Sequence, residues 1–249
     1  MSIWIIGHIL AVCIGLSLGL LGGGGSILAV PILVYVLGKE AKVAIAMSLA
    51  IVGLVSLIGV IPHWRQGNVN FKTAISFAPS AMIGAFFGAR LAASPLVTDT
   101  FQLVCFALIM LIASYFMIRK PKVISQSKPQ KYAWLAITLE GLGVGVITGF
   151  VGVGGGFAIV PALVLLGGIP IKQAIGTSLL IIVFNSITGF LGYLNQVNID
   201  WDLLFSFTLA AICGVVAGAF LSQKIQAAKL QKAFGYFLIA TAIFILLKR

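Results

Sequence analysis

Two glycine-rich blocks hold the residues best placed to do chemistry in this sequence, GGGGS at 22–26 and GVGGG at 152–156. Glycine costs about 1 kcal/mol against alanine in a helix interior, so the run Gly22 to Gly25 predicts a break. Both blocks sit inside apolar stretches, where lipid cannot satisfy freed backbone N–H and C=O groups. A helix that restarts after such a break presents unpaired N–H groups and a partial positive charge. Glycine also lets a solute approach the backbone and permits positive φ. Gly22, Gly23, Gly24, Gly25 and Ser26, with Gly152, Gly154, Gly155 and Gly156, are therefore candidate donors to a membrane-buried anion. The plainer alternative is that these glycines let helices pack closely. That alternative is preferred for the small-xxx-small pairs Gly84/Gly88 and Gly214/Gly218.

Few side chains in the apolar runs are polar. Ser48, Ser56, Thr177, Ser178, Asn185, Ser186 and Thr188 lie in the runs after each block. Ser48, Thr177, Ser178 and Asn185 are the side-chain candidates for the anion site. Ser178 and Asn185 are seven apart and share a helix face. Asn185 is the strongest, because a buried amide needs partners; a serine can bond its own backbone instead. Glu140 follows Trp134 by six residues, about 9 Å deeper along a helix, and is a candidate proton carrier. A plain interfacial glutamate is the alternative. His63 is expected in a surface loop, and His8 near the membrane surface.

One pattern points to an enzyme. GLSLG at 15–19 fits the G-x-S-x-G arrangement around serine nucleophiles, with Ser17 as an intramembrane protease nucleophile. The sequence argues against it: Ser17 precedes a helix break, and His8 and His63 are the only histidines, neither mid-span. No phosphate-loop lysine motif appears. Cys13, Cys105 and Cys213 are unclustered, so neither a disulfide framework nor a metal site is indicated. The reading is of a non-enzyme without cofactor or metal.

The elements that position these residues follow from composition. Of 249 residues, 61% are hydrophobic and only 8% charged, against roughly 25% charged in a soluble domain. Mean hydropathy is +1.17. This predicts an all-α polytopic membrane protein. The net charge of +11 resides in short gaps between apolar runs, where it suits positive-inside topology and anionic lipid headgroups. No basic stripe interleaved with aromatics points to nucleic acid. The N-terminus, MSIWIIGHILAVC, lacks the features of a cleaved signal and reads as the first membrane segment.

The chain also repeats itself. Shifted by 130 positions, Gly15, Gly19, Gly22, Gly24 and Gly25 fall on Gly145, Gly149, Gly152, Gly154 and Gly155. Val30-Pro31 falls on Val160-Pro161, Ser48 on Ser178, Ser56 on Ser186, and Gly84 and Gly88 on Gly214 and Gly218. Glu140 falls on Leu10, so any role it has is not shared between copies. Residues 1–118 and 132–249 are then two transmembrane repeats of one transport domain, joined by a polar, basic linker at 119–131. Each repeat begins with a glycine-broken or re-entrant first helix, 3–37 and 133–168. Three runs long enough to span follow in each: 42–62, 71–91 and 99–118, then 171–192, 201–221 and 231–247.

The direction of the second repeat depends on the broken stretch. If it crosses once, the halves are parallel; if it goes out and back, they are inverted. With the linker in the cytoplasm, the inverted arrangement puts eleven of the sixteen Lys and Arg residues inside and five outside. The parallel arrangement puts nine inside and seven outside. The loop NQVNIDWD at 195–202 also falls outside only when the repeats are inverted. Lys248 and Arg249 fit poorly, but the inverted arrangement is favoured.

The blocks GLLGGGGSILAVPILVYVLG and GFVGVGGGFAIVPALVLLGG, each followed by K-x-A-I-x-x-S-L, resemble the sulfite exporter TauE/SafE family over nearly the whole chain. The resemblance implies a permease for sulfite, a sulfonate such as sulfoacetate, or a related oxyanion. It implies a secondary transporter that needs neither ATP nor a metal. Gly23 and Ser26 stand where the second block has Val153 and Gly156, so the resemblance does not carry an equal contribution of the two breaks. The combined expectation is alternating access in a bacterial inner membrane, with the anion at the breaks and the bilayer as partner. A homodimer is compatible with it. A passive anion channel is the nearest rival.

Overall fold

A computed structural model gives the fold, and it describes residues 2–92, 99–119, 133–151, 156–193 and 198–247. Those residues are helical with short connections. The helices are α1 (Ser2–Leu21), α2 (Gly24–Pro31), α3 (Ala41–Arg65), α4 (Phe71–Ala92) and α5 (Asp99–Ile118). The second half supplies α6 (Ala133–Val151), α7 (Gly156–Leu165), α8 (Ile171–Tyr193), α9 (Trp201–Lys224) and α10 (Ala227–Leu247). Among the described residues, the spans 4–21, 43–65, 171–191 and 201–224 are long and apolar enough to cross a membrane. Large apolar side chains such as Ile75, Phe86, Phe87, Leu209 and Phe220 point outward, which suits lipid rather than water.

The first break is narrower than the four glycines suggest. Gly22 takes φ +72°, and α2 restarts at Gly24. Once a left-handed glycine has turned the chain, Gly24, Gly25 and Ser26 re-enter a helix. Burial and packing there outweigh their weak propensity. Pro31 ends α2, and a π-helical turn, Ile32–Val36, follows. Proline removes an N–H from the helix ladder and favours such a change of winding. Pro161 sits inside α7.

Residues 24–37 run back along α1. Gly25 packs on Ile14 and Leu18, and Gly7, near the start of α1, meets Leu37. The stretch 3–37 therefore goes out and returns to its own side. Four helix pairs build the rest, and in one of them Gly235 of α10 packs on Ser114 and Ile118 of α5. Along α1 and α9, Gly15 faces Ala211 and Val215, then Gly19 faces Val215 and Gly218, so these helices run parallel. Along α4 and α6, Gly84 faces Leu142 and Val146, then Gly88 faces Val146 and Phe150, again parallel. The packing role expected of Gly84/Gly88 and Gly214/Gly218 is thus observed. Between α3 and α8, Leu49 meets Gly189, Gly53 meets Ser186 and Gly59 meets Leu179, so these two are antiparallel. The 130-residue shift turns the α1–α9 pair into the α6–α4 pair and exchanges α3 with α8.

Candidate functional site

The first glycine block meets Gly156, the last residue of the second. Gly23 lies directly against Gly156, the first residue of α7, and a Cβ on Gly23 would collide with the Gly156 carbonyl. A Cβ on Gly156 would lie 3.0 Å from Gly23 Cα and 2.8 Å from Ser26 Oγ. Only glycine at both places allows this approach. Gly152, Gly154 and Gly155 lie outside the described residues.

Serine hydroxyls take up the carbonyls of the first break. Ser26 Oγ donates to Gly23 O at 2.8 Å. Ser178 Oγ lies 2.7 Å from Gly22 O and 2.8 Å from Ile175 O. Gly22 N–H still donates to Leu18 O at 2.7 Å. Gly23 precedes α2 with no side-chain cap. The break thus has its carbonyls met by hydroxyls while no side chain accepts from the first turn of α2, which leaves its positive helix end facing inward.

The other candidates divide. Asn185 shares a face of α8 with Ser178 and Ile182, and Ile182 reaches Gly156. Its Oδ1 is buried without a partner. Ser48 Oγ donates to Ile45 O at 2.9 Å, within its own helix. Thr177 is drawn away from the break: its Oγ1 accepts Asn70 N–H at 2.9 Å and ties α8 to the turn after α3. Glu140 is half-buried on α6 with Oε2 unpartnered. Eleven residues separate it from Val151, about 16 Å of helix, so the fold keeps it away from the break.

Three further groups emerge. Ser56 and Ser186 are 0% and 2% exposed and their hydroxyls have no partner. Other buried serines, Ser26, Ser114 and Ser222, donate to the carbonyl three residues back. Ser186 sits on Gly53, and Ser56 is one turn further along that face of α3. Their signal was in the repeat, which aligns them. His63 corrects the surface-loop expectation. Helix α3 continues through Pro62 to Arg65, and α1 packs on its last turn. His63 is 1% exposed, with Nε2 3.0 Å from Gly19 O.

Ser17 and the histidines find partners separately. Ser17 Oγ donates to Ile14 O at 2.9 Å, and His8 Nδ1 lies 2.8 Å from Trp4 O. An apolar groove lined by Trp4, Ile5, Ile9 and Val12 lies on the outer face, far from Gly23.

Comparison with known proteins agrees with this architecture. Residues 8–245 match the family described as Sulfite exporter TauE/SafE. The chain belongs to the TauE/SafE family. A Xylella fastidiosa (strain 9a5c) member named "Probable membrane transporter protein" is 34% identical over 240 residues, 94% of this chain and 91% of its own length. Another, "Probable membrane transporter protein YdhB" of Bacillus subtilis (strain 168), is 28% identical over 210 residues, covering 83% and 85%. A Haemophilus influenzae "Probable membrane transporter protein" is 27% identical over 255 residues, covering 94% of each chain. No solved structure matches the chain. The Xylella and Haemophilus relatives thus match nearly the whole length of the chain.

Proposed function

We propose that this TauE/SafE protein is a secondary transporter of a small sulfur-containing anion, sulfite or a sulfonate, working by alternating access in a bacterial inner membrane. The observation that carries the reading is the approach of Gly23 to Gly156. The first helix break meets the start of α7 inside the protein, where a desolvated anion gains most from fixed donors and a helix N-terminus. A strong-acid oxyanion stays charged at neutral pH, so it needs donors rather than a buried lysine. Ser56 and Ser186 add buried hydroxyls without partners where α3 packs on α8, and Asn185 adds an amide on α8 whose Nδ2 can donate.

The inverted arrangement of repeats belongs to this reading. The antiparallel crossing of α3 with its counterpart α8 supports it, as does the outward-and-back course of residues 3–37. Pseudo-symmetry then lets one side open as the other closes. In the conformation at hand the two glycine backbones touch, so binding requires the α1–α2 and α6–α7 hairpins to separate.

A thermal-shift screen of purified protein against sulfite, methanesulfonate, sulfate, acetate and phosphate tests the reading, since a ligand of the native state raises the melting temperature. A rise confined to sulfur oxyanions supports it. No rise with any of them overturns it. In proteoliposomes, saturable flux driven uphill by an ion gradient is expected; ohmic single-channel current would establish a passive channel.

A further inference from the structure

Among the described residues, His63 is the one titratable side chain buried against the helix that leads into the first break. A carbonyl oxygen only accepts, so the 3.0 Å contact with Gly19 O requires Nε2 to carry the hydrogen. Nδ1 then bears a lone pair, and it is buried without a partner. Gly19 is three residues before Gly22, about 5 Å along α1, and α1 is helical up to Leu21. On the other side, Gly176 of α8 packs on the His63 Cβ, two residues from the Ser178 that holds Gly22 O. The imidazole is therefore wedged between the two helices that grip the break.

Nothing on these elements can neutralise a proton at Nδ1. The chain has five carboxylates. Glu40 precedes α3 at its far end, Asp200 and Asp202 are at the far end of α9, Glu140 is on α6 and Asp99 opens α5. Helices α1 and α8 carry none. Among the described residues, the charged groups at His63's own end are Arg65, exposed after it on α3, Lys172, which donates to Gln223 O, Lys224, exposed at the end of α9, Lys72 on α4, and Lys229 and Lys232, exposed on α10. All are positive. The other titratable side chains on α1 and α9 are His8, at the opposite end of α1, and the exposed thiols Cys13 and Cys213. A second proton on this imidazole is thus tolerable only when negative charge arrives from outside the protein.

We infer that His63 carries the coupling proton, taken up at Nδ1 together with the anion that binds at the break. The inference rests on the anion reading above. Each partner supplies the counter-charge the other lacks in a medium of low polarity, so binding of one tightens binding of the other. The Nε2–H bond to Gly19 O survives protonation and keeps the charged ring beside α1. Proton and anion then cross as a pair of low net charge.

The test is isothermal titration of the purified protein with sulfite, sulfate and methanesulfonate between about pH 5.5 and 8, the range in which histidine titrates. Buffers of different ionisation enthalpy report proton uptake. The wild type is expected to take up close to one proton per anion, with Kd tightening up to about tenfold per unit fall in pH. His63→Gln keeps a donor for Gly19 O and cannot titrate. It should bind sulfate and methanesulfonate with a flat Kd and, with all three anions, take up fewer protons than wild type by about one, a difference from which sulfite's own titration cancels. A flat wild-type profile overturns the inference and leaves the anion reading standing, and needs no variant. A slope kept in H63Q and lost in Glu140→Gln would assign the proton to Glu140 and overturn it equally. Binding of none of the three anions sinks the reading and the inference together.

Discussion

Ser48 and Ser178 occupy the same place in the two halves, yet their hydroxyls have different work. Ser48 donates within its own turn, while Ser178 also lies against Gly22 O of another helix. We predict that Ser178→Ala destabilises by about 1–3 kcal/mol, because it strands a buried carbonyl. Ser48→Ala should cost less than about 0.5 kcal/mol, since a back-bonded serine gives up little. Thermal unfolding in detergent compares the two. Asp200 offers a second measurement outside the membrane. Its carboxyl is held below the usual aspartate range, chiefly by the hydrogen bond from Lys39 Nζ at 2.8 Å and then by Leu203 N–H. A lowered folded pKa stabilises above the unfolded value and is lost as pH falls through the folded one. The pair is partly exposed and screened, so Asp200→Asn should lower stability near neutrality by at most about 1 kcal/mol. The gap between wild type and D200N should close below about pH 4.

Helix contacts in this protein are set by where a side chain is missing. At Gly84, a Cβ would run into the Leu142 carbonyl of the parallel helix, and backbone cannot yield as a side chain can. Gly143, also on α6, has nothing within 4 Å of the same position. Gly84→Ala should therefore cost about 1–3 kcal/mol or more, and Gly143→Ala should gain up to about 1 kcal/mol from propensity alone. Melting temperatures and gel-filtration profiles of the two variants decide it. The same contrast explains what the sequence could disclose. Span positions were legible because lipid demands long apolar runs, and the repeat was legible because glycines and serines recur in register. The narrowness of the first break was not, since local propensity penalises Gly24 and Gly25 and only tertiary burial offsets it. Nor was the burial of His63: hydropathy places His63, Trp64 and Arg65 at the surface, and nothing local reveals that Gly19 of another helix lies there to accept its hydrogen.

At the scale of the whole molecule, each half packs with parts of the other. Helix α1 runs along α9 and α6 runs along α4, so neither half can complete its packing alone. Lys39 joins Asp200 where α3 and α9 begin. Lys172 reaches Gln223 where α8 begins and α9 ends. These contacts sort the connections onto two sides. The 37–40 and 198–200 turns share one, while the 66–70 turn, the start of α8 and the end of α9 share the other. The charges follow the same division: Arg65, Lys172, Lys224, Lys229 and Lys232 share one side, whereas Lys39 falls opposite. A parallel second repeat would move Lys172 across the membrane. With the three native cysteines replaced, single cysteines at Asn68, Lys172 and Gln226 should react with an impermeant maleimide only from the cytoplasm, and one at Lys39 or Asn198 only from outside. Labelling of Lys172→Cys from outside, with Asn68→Cys still labelled from inside, would separate the two ends that the α3–α8 crossing places together. The pseudo-symmetric exchange of access would then lose its structural basis.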